Sequence, residues 1–247
     1  MDRFAGKVAL ITGAGSGIGR AVVRRLTQEG GTVFAVDIDD ASLKETADLV
    51  GGNVQVEVAD VGDPDACAAV VASCIRAYGG LDVLGNVAGI YRAAHTPDMP
   101  REDYRRVMAV NLDGPFFLCQ AAIPHLLERA GNIVNIASNS GIQGVPYSAA
   151  YSASKGGIIQ LTRSLAVEFI KTEMRVNAIA PAGTNTNIAA SANFPSDIDR
   201  DLAARMAGHR GLAEPEEVAA LFAYLASDEA RSVTGAVYTI DNGVTVS

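Results

Sequence analysis

Short apolar runs and longer amphipathic stretches alternate along the chain. Lys7–Ile11, Thr32–Val36, Val54–Val58, Val83–Val87, Asn132–Ile136, Val176–Ile179 and Val237–Ile240 are runs rich in β-branched residues, the pattern of buried strands. Between them, Ile18–Gln28, Ala41–Val50 and stretches at about 65–78, 101–128 and 150–171 carry apolar residues at helical spacing. Pro215, after Ala213-Glu214, is a proline in a first helical turn and opens a last helix through about Leu225. Strands that are continuous apolar runs are covered on both faces. The pattern therefore predicts an α/β fold, a doubly wound parallel sheet of about seven strands with helices on each side. No internal repeat, low-complexity tract or linker divides it, so a single domain over 1–247 is expected. The one long irregular stretch begins at Gly183, is rich in Ala, Ser, Asn and Thr, and runs to about 210. Inside a compact fold such a segment reads as a lid.

Composition narrows the function classes. An apolar fraction of 49% against 19% charged residues excludes a disordered chain and provides for a sizeable core. The net charge of −8 and a pI near 4.9 give no basic footprint for nucleic acid or an anionic membrane. The densest basic segment, Arg101-Glu-Asp-Tyr-Arg-Arg106, is interleaved with acids and reads as the solvated first turns of a helix. No run reaches the roughly 18 apolar residues needed to span a bilayer, and the N-terminus carries charges and too short an apolar run for a signal peptide. A cytoplasmic protein with no nucleic-acid or membrane partner is expected. Cys67, Cys74 and Cys119 have no metal-ligand spacing; the first two are seven apart, on one helical face, and read as buried free thiols. His95, His125 and His209 are scattered, so no metal is expected, although His95 and His209 border regions that could face a substrate.

The first candidate chemistry lies between the first strand and the first helix, in Thr12-Gly-Ala-Gly-Ser-Gly-Ile-Gly19. Gly13, Gly17 and Gly19 have Gly-x-x-x-Gly-x-Gly spacing, Gly15 adds freedom, and Ser16 and Ile18 fill the turn. Such a loop lets backbone N–H groups approach a pyrophosphate at the positive end of a helix. No Lys-Ser or Lys-Thr follows, which excludes a nucleoside-triphosphate P-loop. Asp37, followed by Ile38, ends the second strand 18 residues past Gly19, where a carboxylate can bond both ribose hydroxyls. That carboxylate would repel the 2′-phosphate of NADP, Ser16 is uncharged, and neither position offers an arginine or lysine. NAD is the expected cofactor.

The second candidate is the trio Ser138, Tyr151 and Lys155. Tyr151 and Lys155 are four residues apart, so a helix would put the phenol and the ammonium on one face. A neighbouring cation favours the phenolate and is expected to lower the tyrosine pKa from about 10 toward neutrality. A tyrosine tuned this way exchanges a proton with a substrate oxygen, which Ser138, thirteen residues upstream, could hold by a hydrogen bond.

Together these residues resemble the short-chain dehydrogenase/reductase family, including its 3-oxoacyl-reductase-like and alcohol-dehydrogenase-like members, over essentially the whole chain. The resemblance implies a Rossmann fold. It extends to Asp60-Val61, similar to the pair that contacts adenine, and to Asn86-Val87-Ala88-Gly89, similar to an Asn-Asn-Ala-Gly segment of the cofactor site. Asn111 matches the helical asparagine of a catalytic tetrad with Ser138, Tyr151 and Lys155. Pro181-Ala182-Gly183-Thr184-Asn-Thr186 resembles the segment at the nicotinamide end, and Asp241-Asn242-Gly a C-terminal Asp-Gly-Gly. Val87, Ala182 and Asn242 depart from the family pattern. The implied mechanism is reversible hydride transfer between nicotinamide and a carbonyl carbon, with Tyr151 as general acid and base. Ser138 polarises the oxygen, Lys155 tunes Tyr151 and binds the nicotinamide ribose, and Asn111 holds a water linking Lys155 to solvent.

The family's substrate pocket maps to Asn139, Ile142, Gln143, Val145 and Tyr147, to Ile90 and Tyr91, and to Ile188 and Phe194. This lining has no arginine cluster, so a neutral or weakly polar ketone or secondary alcohol is expected. The resemblance also implies a homotetramer paired through helices 101–128 and 150–171. Two alternatives stand beside this reading. One is an NADPH-dependent 3-oxoacyl-thioester reductase, against which Asp37 argues. The other is a non-catalytic dinucleotide-binding redox sensor, which loss of a tetrad residue would mark.

Overall fold

Seven parallel strands form one sheet in the order β3-β2-β1-β4-β5-β6-β7. They are β1 Val8–Thr12, β2 Thr32–Asp37, β3 Val54–Val58, β4 Val83–Asn86, β5 Asn132–Ile136, β6 Arg175–Pro181 and β7 Val237–Ile240. This computed structural model describes residues 2–188, 192–204 and 210–246. Every residue of β1, β4, β5 and β6 is buried, as strands covered on both faces require.

Helices α1 (Gly17–Gln28), α2 (Asp40–Val50) and α8 (Pro215–Ala226) cover one face, where Val22, Leu26, Leu43, Val218 and Phe222 meet Ile11, Val33 and Val134. Helices α3 (Pro64–Tyr78) and α5 (Gly114–Glu128) cover the other, packing Val70, Cys74, Leu118 and Leu126 on Leu10, Phe34 and Ile133. Helix α6 (Ala149–Glu168) joins them through Ile158 and Ile159 against Ala178 and Ala180. Cys67, Cys74 and Cys119 are buried free thiols, as the seven-residue spacing of the first two suggested. The chain leaves β1 toward β2 on one side and returns to β4 on the other. At such a switch point the loops at the carboxyl ends diverge and open a crevice.

One predicted helix differs. The stretch 101–128 is interrupted: α4 (Arg101–Met108) passes through a π-helical turn at Ala109–Asp113 before α5 begins. Pro115 has no N–H, so the carbonyl four residues back, that of Asn111, is left without its α-helical donor. Among the described residues Arg101–Glu128 is also the one helix long and apolar enough, by length and composition, to cross a membrane. Here Val107, Val110, Leu118, Cys119, Ala122 and Leu126 are buried in the fold, the position of a core helix. A further short helix that the pattern did not predict, α7 (Arg200–Ala204), lies within the stretch expected to be irregular.

The start of the chain is pinned by charge. Arg3 and Arg25 both donate to the Glu29 carboxylate, and the Arg3 hydrogen bond, outweighing burial, holds its pKa down to about 2. A depressed carboxyl pKa stabilises the fold above the unfolded pKa, and that stability is lost as pH falls through the folded value. Glu29→Gln should therefore cost on the order of 2 kcal/mol at neutral pH in urea unfolding. The difference from wild type should shrink from about pH 4.5 down toward about pH 2, and a pH-independent difference would contradict this origin.

Candidate active site

The crevice holds a cleft of about 630 Å³ that runs from the glycine loop, past Asp37, to Tyr151 and the lid. The loop's shape follows from its composition. Gly13 sits at φ +65°, and a Cβ there would come 2.8 Å from the Ala88 backbone. Thr12 ties the same junction, its hydroxyl accepting from the N–H of Val87 and of Ala88. The Val87 departure thus leaves the anchoring to backbone. Ser16 is the N-cap of α1 but its side chain makes no capping bond, so the orphan N–H groups of the first turn have no side-chain cap. Gly13, Ser16, Gly17, Ile18 and Gly19 line the cleft, a backbone cradle that suits a pyrophosphate.

Asp37 and Ile38 line the next part. Asp37 Oδ2 accepts from the Gly15 N–H at 2.8 Å, which locks the loop onto β2. Gly15 itself does not line the cleft; its part is to hold Asp37. Capping of α2 falls to Asp39, whose carboxylate accepts from Ala41 and Ser42, so Asp37 is spared that duty. Sequence reasoning missed two cations here. Arg20 reaches the outside of the loop, but it donates to the Gly15 carbonyl and Thr46 and pairs with Glu45 at 2.6 Å, away from the cleft lining. Arg106 does line the cleft and clamps both oxygens of Asp60, at 2.8 and 3.0 Å. Burial opposes charge on Asp60, but this pairing outweighs it and holds the carboxyl below its usual range. Asp60 and Val61 line this end.

One predicted cofactor residue is placed elsewhere. Asn86 is 3% exposed and points into the core, where Nδ2 donates to Asn135 Oδ1 at 2.8 Å. It sits on β4, whose side chains alternate between faces; the following Ala88 and Gly89 line the cleft and Asn86 does not. Its amide instead joins β4 to β5, and Asn135 continues to Thr162 on α6.

The catalytic candidates converge. Ser138, Tyr151 and Lys155 all face the cleft. The turn at Asn139–Gly141 lies directly on α6, because a Cβ at Gly141 would come 2.6 Å from the Lys155 backbone. That close approach brings Ser138 to Tyr151. Lys155 is 3% exposed; its Nζ donates to the Ile136 carbonyl at 2.7 Å and lies 5.8 Å from the Tyr151 ring centre. Asn111 stands behind them, fully buried and outside the cleft lining. Its Oδ1 accepts from Ile90 N–H, and its Nδ2 donates to the Ile90 carbonyl and to Ser154. The side chain is therefore a clamp between the segment after β4 and α6.

The expectation that Lys155 pulls the phenol toward neutrality needs correction. Burial is the largest influence on Tyr151 and pushes its pKa up to about 12, against a lowering by the Ser138 hydrogen bond and a further rise from Tyr91. Burial also pushes Lys155 down to about 8. In this low-dielectric pocket both groups favour their neutral forms, so the resting protein holds a phenol.

Pro181, Gly183, Thr184 and Thr186 line the far wall with Ala182, whose N–H donates to the Ile240 carbonyl. Asn242 occupies the left-handed region at φ 52°, which asparagine tolerates, and donates to the Gly211 carbonyl. Of the expected substrate residues, Asn139, Val145, Ile90, Tyr91, Ile188 and Phe194 line the cleft. Ile142, Gln143 and Tyr147 do not. Tyr147 is held at φ 61°, accepts at its hydroxyl from the Asp199 N–H, and packs edge-on to His95 at 5.2 Å. His95 in turn sits 3.0 Å from Asp197, so it ties down the segment after β6 rather than facing the cleft. His209 and parts of the lid, 189–191 and 205–209, lie outside the described residues.

Comparison with known proteins gives the family and the fold. The family model described as Enoyl-(Acyl carrier protein) reductase matches residues 13–245. A 3-oxoacyl-(acyl-carrier-protein) reductase of Thermotoga maritima is 41% identical, over 99% of this chain and 100% of its own length. A meso-2,3-butanediol dehydrogenase of Serratia marcescens is 39% identical, over 99% of this chain and 97% of its own. A crystal structure of a short chain dehydrogenase from Mycobacterium paratuberculosis bound to NAD superposes with a TM-score of 0.92 at 32% identity, covering 98% of this chain and 99% of that one.

The Asn111 clamp is testable without any ligand. Asn111→Leu keeps the branched shape of the side chain but leaves the part-buried N–H and carbonyl of Ile90 without this partner, which should cost about 1–3 kcal/mol in urea unfolding. An unchanged midpoint would show that the clamp carries no load.

Proposed function

The chain belongs to the short-chain dehydrogenase/reductase family, and on that premise we propose an NAD(H)-dependent oxidoreductase that interconverts a secondary alcohol and a ketone. The observation that carries this reading is the convergence of Ser138, Tyr151 and Lys155 at one end of a cleft whose other end is a glycine cradle with Asp37 beside it. When bound, the nicotinamide dinucleotide supplies or takes up the hydride.

The chain's own residues handle the proton. In reduction, Tyr151 Oη donates its proton to the carbonyl oxygen, a role suited to a phenol that stays protonated at neutral pH. In oxidation the same oxygen takes the alcohol proton. Ser138 holds the reacting oxygen, moving its hydroxyl proton from Asn139 Oδ1, its acceptor in the resting site, to the substrate. Lys155 is still an ammonium below about pH 8, and it stabilises the phenolate that remains after donation. The Asn111 carbonyl, missing its donor at Pro115, holds the water that reconnects Lys155 to solvent.

NAD is favoured over NADP because Asp37 presents a carboxylate where a 2′-phosphate would sit. Arg20 does not offset it, since its donors are spent on carbonyls and Glu45. A second reading, reduction of a 3-oxoacyl thioester, draws support from the Thermotoga maritima relative. The enzyme assembles as a homotetramer in this reading. Exposed Tyr104, Phe116 and Leu127 on 101–128, with Val167 at the end of α6 and Ile170 just past it, give those helices apolar outer surfaces. Buried free thiols suit a reducing cytoplasm.

Tyr151→Phe should lower kcat/KM by about 10²–10⁴-fold while NADH still binds, as followed by fluorescence titration. Near-normal turnover would remove Tyr151 from the mechanism. Asp37→Ser should raise the NADPH/NADH ratio of kcat/KM by about tenfold or more. A wild-type enzyme that already used both equally would refute the role given to Asp37.

A further inference from the structure

The C-terminal turn reaches back to the cleft through a side chain that the mechanism does not use. Asp241 is 8% exposed and shapes this turn. Its carboxylate accepts from the N–H groups of Gly243 and Thr245 and from the Thr245 hydroxyl. Asn242 follows in the left-handed region at φ 52°, and its Nδ2 donates to the Gly211 carbonyl at 3.1 Å. A glycine would satisfy that backbone equally well, so the turn itself does not call for an amide.

The amide acts on Leu212, whose two neighbours are held unequally. On one side Ala213 is buried and fixed by backbone. Its N–H donates to the Gly183 carbonyl, and its own carbonyl accepts from the Asn185 N–H, both at 2.9 Å. On the other side Gly211 sits at φ +80°, with nothing within 4 Å of where a Cβ would lie. A glycine in open surroundings keeps much of its backbone freedom unless something ties it; here the Asn242 bond does. Leu212 itself is 63% exposed and lines the cleft. A Cβ on Gly183 would come 2.7 Å from Leu212 Cδ2, so the leucine lies directly on the far wall. A large apolar side chain open to a cleft gains when a ligand covers it.

We propose that Asn242 is a positioning residue for the cofactor. By holding Gly211 it keeps Leu212 seated on the Gly183 wall, where the leucine covers the bound dinucleotide and slows its release. This rests on the reading of the cleft as a dinucleotide site. The tie acts on a contact made after the ligand has entered, so its effect falls on dissociation and not on encounter.

The test is stopped-flow displacement of NADH, followed by its fluorescence. Asn242→Asp keeps the shape and tolerates the left-handed backbone but has no hydrogen to donate. Asn242→Gly removes the side chain without straining the turn. Each should raise the NADH dissociation rate by about threefold or more and leave the association rate unchanged. Leu212→Ala should raise it at least as much. Adding Asn242→Asp to Leu212→Ala should then change nothing further, because the tie has no side chain left to place. An unchanged rate in both Asn242 variants, or in Leu212→Ala, would overturn the proposal. So would an equal rise from Asn242→Asp with and without Leu212, the result a merely structural turn residue gives. Should one Asn242 variant fail to fold, the other carries the comparison. Wild-type protein that binds no NADH would remove the dinucleotide reading together with the proposal, whereas normal binding with unaltered rates in the variants removes the proposal alone.

Discussion

An ammonium group buried with no carboxylate paired to it is the constraint around which this site is built. Lys155 is 3% exposed, and among the described residues its hydrogen bond goes to the Ile136 carbonyl rather than to an acid. Burying an uncompensated charge is costly, and the cost shows in a pKa pushed down to about 8. The end of β5 supplies the carbonyl, α6 supplies the lysine, and the Asn139–Gly141 turn packs on the lysine's own backbone. A buried cation with spare capacity has a use once negative charge appears beside it, and in the proposed mechanism the phenolate left by Tyr151 is that charge. The resting site thus holds both groups in the states from which the proton can leave and return.

The two ends of the cleft are held by different means. The dinucleotide end is fixed by backbone: the glycine loop, the Asp37–Gly15 bond and the Thr12 hydroxyl that gathers Val87 and Ala88. The substrate end is held by side chains reaching across the chain. Tyr91 joins Ser148 and Phe194, Tyr147 holds Asp199, and His95 meets Asp197. A cradle made of backbone suits a cofactor of fixed shape. A wall made of side chains can change with the substrate while the sheet stays the same.

Local pattern carried much of this. The strand runs are buried on both faces, and for that reason their continuous apolar character marked them clearly. The glycine spacing, Asp37 and the four-residue step from Tyr151 to Lys155 are short-range features, legible because one strand–turn–helix or one helical face sets their geometry. What escaped depends on distant partners. The π-helical turn at Ala109–Asp113 hides in a continuous helical pattern, although Pro115 was its signal. Asn86 stood in a cofactor-like motif, but its side chain belongs to Asn135 across the sheet. Arg106 read as a solvated residue of a helix start until Asp60 was found opposite it. The tyrosine pKa failed for the same reason: spacing reports the neighbouring cation and says nothing of the burial that outweighs it.

The central claim is that this cluster exchanges a proton with a secondary alcohol or ketone while NAD(H) exchanges the hydride. Its most direct test is a panel of secondary alcohols and small ketones assayed with NAD(H) and NADP(H) side by side, following the nicotinamide absorbance with wild-type protein. The account predicts turnover with NAD(H), in both directions, and much weaker turnover with NADP(H). Tight NADH binding with no turnover across the panel would contradict it.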